Sequence, residues 1–297
     1  MHRILVNIYQ KLTGAHILLG ALVLLLLSYL AVYFIDLQGI WGLRDHLVAQ
    51  YDSYPFFWYH WFEDGGPVEQ VQYLLLGFGA LFSVRNATLE DTKIEGPNKA
   101  ASAFWYLLGL ALLLMLIEDA GNPRHMLRVH LRTFTGEAQH GPIGTAAELG
   151  YFAVLAAIPI YAYLAFGRKA LSGYRATTAY LLAGYLVYAM GVGASFAGTA
   201  FHDLLDQNVY MMAGRRVLDT MTALADPAGA ELYAANKEWI SFYLMDSMIE
   251  ESIELIGAAL LLAACISYAK SHASHDRASQ LSRPHAETDE EERENLS

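Results

Sequence analysis

The sequence predicts an all-α integral membrane protein: a six-transmembrane-helix bundle with both termini cytoplasmic and short interfacial helices in the outer loops. Three observations predict it. Hydrophobic residues make up 55% of the 297 and charged residues 16%, and the mean hydropathy is +0.28, a balance too apolar for an ordinary soluble domain. Six apolar windows approach the ~20 helical residues that cross a bilayer core. The Lys and Arg residues between those windows fall unevenly on alternate connections.

The first window, 15–35, is long and has no clean small-x-small cleavage site after it, so it reads as a retained helix rather than a signal peptide. The second, 67–84, is opened by Pro67, a favourable first helical residue, and is short, with Gln70 and Gln72 inside it. The third, 101–119, ends in Leu116-Ile117-Glu118-Asp119, with Gly121 and Pro123 as stop signals. The fourth, 146–166, is closed by Gly167; the fifth covers 178–200 and the sixth 246–269. Residues 1–270 therefore form the membrane domain. The segment 271–297 is polar, charged and rich in Ser and His, and reads as a disordered cytoplasmic tail.

Orientation follows from the basic residues of short loops. One side collects Arg3, Lys11, Arg85, Lys93, Lys99, Arg168, Lys169, Arg175, Lys270, Arg277 and Arg283, with short connections between the windows. The other side spreads Arg44, Arg124, Arg128, Arg132, Arg215, Arg216 and Lys237 over the much longer loops 36–66, 120–145 and 201–245. The first side is cytoplasmic, and long outer loops are where function concentrates. A net charge of −11 argues against nucleic acid as a partner. A single cysteine, Cys265, excludes an internal disulfide and a multi-cysteine metal site. No internal repeat supports an inverted-repeat transporter.

The acids that enter the membrane all do so near the outer face: Glu69, Glu118, Asp119, Glu148, Asp203, Glu250, Glu251 and Glu254, with His202 beside them. Ionisable groups at that depth are costly and mark functional sites by default. Glu250 and Glu254, and Glu251 and Glu254, are spaced to share one helix surface. Three carboxylates so close must take up protons, meet a base or share a cation. Dipole complementation at a helix start explains Asp246 and Glu250 but fades before Glu254. Glu118-Asp119 and Asp203 lie at helix C-termini, where a carboxylate opposes the dipole; emergence into water is the plain alternative to a nearby cation.

Imidazole with carboxylate suits Zn, Mn or Fe. The predicted ligands of a divalent metal ion are thus His202, Asp203, Glu118, Glu250 and Glu254, although no His spacing is diagnostic. Glu254 and Glu118 are the predicted catalytic acids. Arg124, Arg128 and Arg132 recur every four residues beside Met126, Leu127, Val129 and Leu131, the pattern of a short amphipathic interfacial helix. Its arginines suit lipid phosphate or a phosphate-bearing substrate, so Arg124 and Arg128, with Glu69 and Glu148, form the predicted substrate-binding set. The aromatic run Tyr54-Pro55-Phe56-Phe57-Trp58-Tyr59-His60-Trp61-Phe62 reads as an interfacial belt.

Glu63-Asp64-Gly65-Gly66-Pro67-Val68-Glu69 opening a helix, Glu118-Asp119 closing the next, and Glu250-Glu251-Ser252-Ile253-Glu254-Leu255-Ile256-Gly257 opening the last together resemble a family of uncharacterised bacterial multi-pass membrane proteins. The resemblance spans about 60–268 and implies the topology, a shared outer site and a bacterial inner-membrane location, but no reaction. Gly191-Val192-Gly193-Ala194-Ser195 before Phe201-His202 is similar to a segment of alkaline ceramidase-like hydrolases, yet the spacing is longer and the later histidine pair is missing. That glycine run reads instead as a close helix-packing surface.

These observations predict a membrane-embedded, metal-dependent enzyme whose outer acidic and histidine site acts on a lipid or isoprenoid-like substrate. Two alternatives use the same residues: a proton- or cation-coupled transporter, and a non-catalytic membrane subunit binding a partner through its outer loops. The inner stretches Leu107–Leu114 and Ala258–Ala264 are almost free of polar groups, which favours a one-sided site over a carrier.

Overall fold

The computed structural model describes residues 11–51, 54–93, 96–136, 142–200 and 209–281. The described chain is helical throughout. In order it forms α1 (Gly14–Val32, continued by a π turn at Tyr33–Leu37), α2 (Leu43–Gln50), α3 (Phe57–Phe62), α4 (Pro67–Asp91), α5 (Lys99–Gly121) and α6 (Pro123–Thr135). There follow α7 (Pro142–Ala162, continued by a π turn at Tyr163–Gly167), α8 (Arg175–Ala200), α9 (Val209–Leu224), α10 (Pro227–Ala235), α11 (Lys237–Tyr243) and α12 (Glu250–Leu281), the last two joined through a π turn at Leu244–Ile249.

Among the described residues, five helical stretches are long and apolar enough to cross a membrane: Gly14–Leu37, Lys99–Gly121, Ile143–Ala170, Arg175–Ala194 and Trp239–Ser274. The remaining predicted window lies in α4. This helix has the length of its neighbours and packs between α5 and α12, but Glu69, Gln70, Gln72, Arg85, Asn86 and Glu90 lower its apolar content. The last helix also runs on to Leu281, past the expected start of the tail at 271.

Boundaries follow the local chemistry. Pro67 stands in the first turn of α4. Asn98 caps α5 by accepting the Ala101 N–H at 3.2 Å. Asn122 ends α5 in the left-handed region, at φ 44°, and its N–H closes on the Glu118 carbonyl. This sharp stop sends α6 off immediately, so its arginines return toward the end of α5.

The most buried helix, α12, is the axis of the bundle, with α8, α4 and α1 packed around it. Glycines set its closest approach to α8, at Gly184 and Gly257 rather than along the predicted run from Gly191, where Gly193 meets nothing within 4 Å. A Cβ on Gly257 would meet the Tyr188 backbone N at 3.0 Å, and one on Gly184 would meet the Leu261 side chain at 2.9 Å. On α7 only 6% of the apolar window is buried; this helix leans on α5 and α6 at the rim of the bundle.

Helices α2, α3, α9, α10 and α11 form a cap over the end of the bundle that carries most of the acids. The aromatic run is a correction to the interfacial-belt expectation. Phe56, Trp58 and Phe62 are fully buried and pack with Tyr233, Ile240 and Leu244 in the core of this cap. Phe56 stacks on Tyr233 at 4.9 Å between ring centroids. Asp36, at the end of α1, positions the run: its carboxylate accepts the N–H groups of Phe57 and Trp58, each at 2.8 Å.

Candidate functional site

The acids converge. A pocket of about 170 Å³ at the capped end is walled by Asp64, Glu69, Glu118, Asp119, Asn122, Arg124, Phe152, Val192, Asp246, Glu250, Glu251 and Glu254. The helix ends produce this arrangement. The loop before α4 supplies Asp64, the first turn of α4 supplies Glu69, and the end of α5 supplies Glu118 and Asp119. The start of α12 supplies Glu250, Glu251 and Glu254, after a π turn of a kind that recurs at functional sites.

Two hydrogen-bonded groups knit the walls together. Gln72 donates through Nε2 to Asp119 Oδ2 at 2.7 Å and to Glu254 Oε2 at 3.0 Å, so one amide ties α4, α5 and α12. The Tyr188 hydroxyl of α8 donates to Asp119 Oδ2 at 2.5 Å, and the Tyr73 hydroxyl to the Asp119 carbonyl at 3.1 Å. Gly65 donates its N–H to Glu69 Oε2. Gly191 leaves room for Glu254, since a Cβ there would stand 2.8 Å from the Glu254 Cγ.

Eight carboxylates and one guanidinium line the pocket. Arg124 Nε lies 3.4 Å from Glu118 Oε1, and its guanidinium carbon sits 4.8 Å from the centre of the Phe152 ring. Arg128 is turned aside to Glu148, at 3.0 Å. The amphipathic helix predicted at 123–132 is therefore present as α6. Arg124 and Arg128 face the bundle, while Met126, Leu127 and Val129 are exposed on its other side.

Of the predicted site residues, Glu69, Glu118, Glu250, Glu254 and Arg124 meet in this pocket, whereas Glu148 and Arg128 pair beside it. His202 and Asp203 lie outside the described residues. The carboxylates that approach to metal-ligand spacing are Asp64, Glu69 and Glu251, with one oxygen from each inside a 4.8 Å span. Glu118, Glu250 and Glu254 line the same pocket outside that trio, and no histidine lines it among the described residues. Sequence reasoning missed Asp64 and Gln72. Asp64 reads as ordinary capping chemistry, and Gln72 as a flaw in an apolar window.

A second cavity adjoins the first. It is an apolar groove of about 650 Å³, with its floor on α5 (Phe104, Leu108, Met115) and its sides on α7 and α8. Glu118, Asp119, Phe152 and Val192 line both cavities, so the groove leads into the acidic pocket.

The far end of the α4–α12 seam carries polar groups too, beyond the apolar stretches Leu107–Leu114 and Ala258–Ala264. Glu90, fully buried, meets Lys93 Nζ at 2.7 Å and His272 Nε2 at 3.2 Å and accepts a hydrogen bond from the Tyr268 hydroxyl. One turn back, Asn86 donates to the Cys265 carbonyl at 3.0 Å. Buried Leu76, Ala258 and Leu261 separate this cluster from the acidic pocket.

No family model, curated protein or solved structure matches this chain, so neither likeness noted in the sequence extends to an assignment.

Proposed function

We propose that this chain is an integral membrane enzyme that works on the headgroup of a lipid or isoprenoid-like amphiphile at the outer leaflet. In this reading six helices cross the bilayer and both termini face the cytoplasm, as the distribution of basic residues favours. The observation that carries the proposal is the joining of two unlike cavities through Glu118, Asp119, Phe152 and Val192. An apolar groove of this volume suits a hydrocarbon chain. A polar pocket at its end suits the headgroup. Glu254, held by Gln72, and Glu118, held by Arg124, are the groups positioned for acid–base work there. Arg124, in the acidic pocket beside the shared Glu118 and Phe152, meets an anionic part of the headgroup.

Gly193 provides the test. It lines the groove, and a Cβ added there meets nothing within 4 Å. A Gly193→Trp variant therefore fills the groove without disturbing the packing of α8. Native mass spectrometry of the purified protein is expected to show a bound amphiphile in wild type and in Glu254→Gln, and none in Gly193→Trp. Incubating the extracted amphiphile with wild-type protein is expected to change its headgroup mass, and Glu254→Gln is expected to abolish that change. Equal occupancy in wild type and Gly193→Trp would overturn the reading.

A second reading, a proton- or cation-coupled carrier, is favoured by the buried Glu90–Lys93–His272–Tyr268 cluster at the other end of the same seam. Ion-driven uptake into proteoliposomes separates the two. A carrier loses transport in both Glu254→Gln and Glu90→Gln, whereas the enzyme shows no transport to lose.

A further inference from the structure

We infer that Asp64, Glu69 and Glu251 bind a hard divalent cation of the Ca²⁺ size class at the mouth of the acidic pocket. The inference deepens the proposed function and rests on its reading of that pocket as the working centre. One oxygen from each of these carboxylates falls within 4.8 Å of the others. At that separation two unit negative charges repel by about 3.5 kcal/mol at an effective dielectric of ~20. The only basic side chain lining the pocket among the described residues, Arg124, is engaged with Glu118. The trio therefore holds its charge only with a cation between its members.

An independent observation points the same way. Glu251 is 7% exposed, faces the pocket, and its Oε2 has no hydrogen-bond partner among the described residues. A buried carboxylate oxygen left bare costs about 1–3 kcal/mol or more, and a metal bond removes that cost. Glu69 is prepared for the same task, because the Gly65 N–H fixes its Oε2.

The donor set chooses the class of ion. Three carboxylates, with no imidazole or thiolate among the described residues, suit Ca²⁺ or Mg²⁺ rather than the Zn or Fe that a histidine ligand would favour. Coordination habit then separates the two. Ca²⁺ accepts several carboxylates in flexible geometry, whereas Mg²⁺ is usually held by one or two and keeps most of its waters. Three protein carboxylates gathered at one point suit Ca²⁺, and the pocket of about 170 Å³ has room for waters to complete its coordination. A cation here also eases an electrostatic conflict. Eight carboxylates alone would repel an anionic headgroup, and a divalent ion beside Arg124 offsets part of that charge and offers a headgroup oxygen a positive centre.

The test uses the full chain, purified in uncharged detergent after chelation, with Ca²⁺ in calorimetry and Tb³⁺ as a luminescent probe. One saturable site is expected, with Tb³⁺ displaced by Ca²⁺ more readily than by Mg²⁺. Glu251→Gln and Asp64→Asn are each expected to weaken it by on the order of tenfold or more. Asp64 is exposed, so its variant leaves folding intact and keeps the test decisive if Glu251→Gln fails to fold. Absence of a saturable site, or affinity unchanged in Asp64→Asn, would overturn the inference. Bound amphiphile is measured on the same samples. Amphiphile without cation binding removes the ion site alone, whereas cation binding without amphiphile removes the enzyme reading and leaves the ion site standing.

Discussion

Replacing Asp226 with Ala removes two supports of the cap in one step. Its carboxylate receives Arg44 as a fork, Nη1 to Oδ1 at 2.7 Å and Nη2 to Oδ2 at 2.9 Å. The same Oδ1 accepts the Gly229 N–H at 2.7 Å and so caps α10. Arg44 itself is 5% exposed and also donates to the Asp36 carbonyl at 3.2 Å. Losing the cap costs about 1 kcal/mol. Losing a charge-assisted fork costs about 1.5–3 kcal/mol. The lower half of that range applies, because the Asp226 side chain is 31% exposed and solvent screens the pair. The expected total is about 3 kcal/mol, or on the order of a hundredfold faster amide exchange across residues 35–62 and 226–235.

Asp226→Asn keeps the cap and loses the charge, so its effect is expected near a third of that. The pH dependence has a definite sign. The Arg44 guanidinium, with help from the Gly229 N–H, holds the Asp226 carboxyl below the usual carboxylate range. A depressed acid contributes its stability above the unfolded value of ~3.9 and loses it as pH falls through the lower folded value. The cap is therefore expected to be steady from pH 5 to 8 and to loosen only below about pH 4, less steeply in Asp226→Asn. The measurement is hydrogen exchange with mass spectrometry at matched intrinsic rates. A change under threefold in Asp226→Ala would refute the reasoning, since it would mean that Arg44 is held by the carbonyls alone.

Two glycines on the α8–α12 seam are expected to behave differently despite similar spacing. Gly191→Ala presses on the movable Glu254 side chain, so it should change chemistry at the pocket while folding survives. Gly257→Ala presses on the Tyr188 backbone, which cannot step aside, and should lower stability by about 1–3 kcal/mol in thermal unfolding. At the far end, Glu90→Gln is expected to cost about 3 kcal/mol, the low end for a broken buried pair, because Lys93 is 28% exposed. A Glu90→Gln variant as stable as wild type would show that Tyr268 and His272 hold the seam without the charge.

The sequence by itself determined what depends on short stretches of chain. Apolar windows the length of a bilayer became helices because a backbone in hydrocarbon must satisfy its own polar groups. Glu118, Glu250 and Glu254 could be placed at one end because position along a helix follows from counting residues. The same counting located α6 and its arginine stripe. What only the tertiary structure decided depends on how each helix is rotated about its axis and how closely neighbours approach. Gln72 reads as a flaw in an apolar window, yet in the fold it bridges Asp119 and Glu254, residues 47 and 182 positions away. The buried aromatic run needed α10 and α11, distant in sequence, to cover it. Glu90, Tyr268 and His272 likewise belong to helices that meet only in the fold. Hydropathy assigns depth from composition alone, whereas convergence of side chains is settled by packing, and at this seam by the glycines that let α8 close on α12.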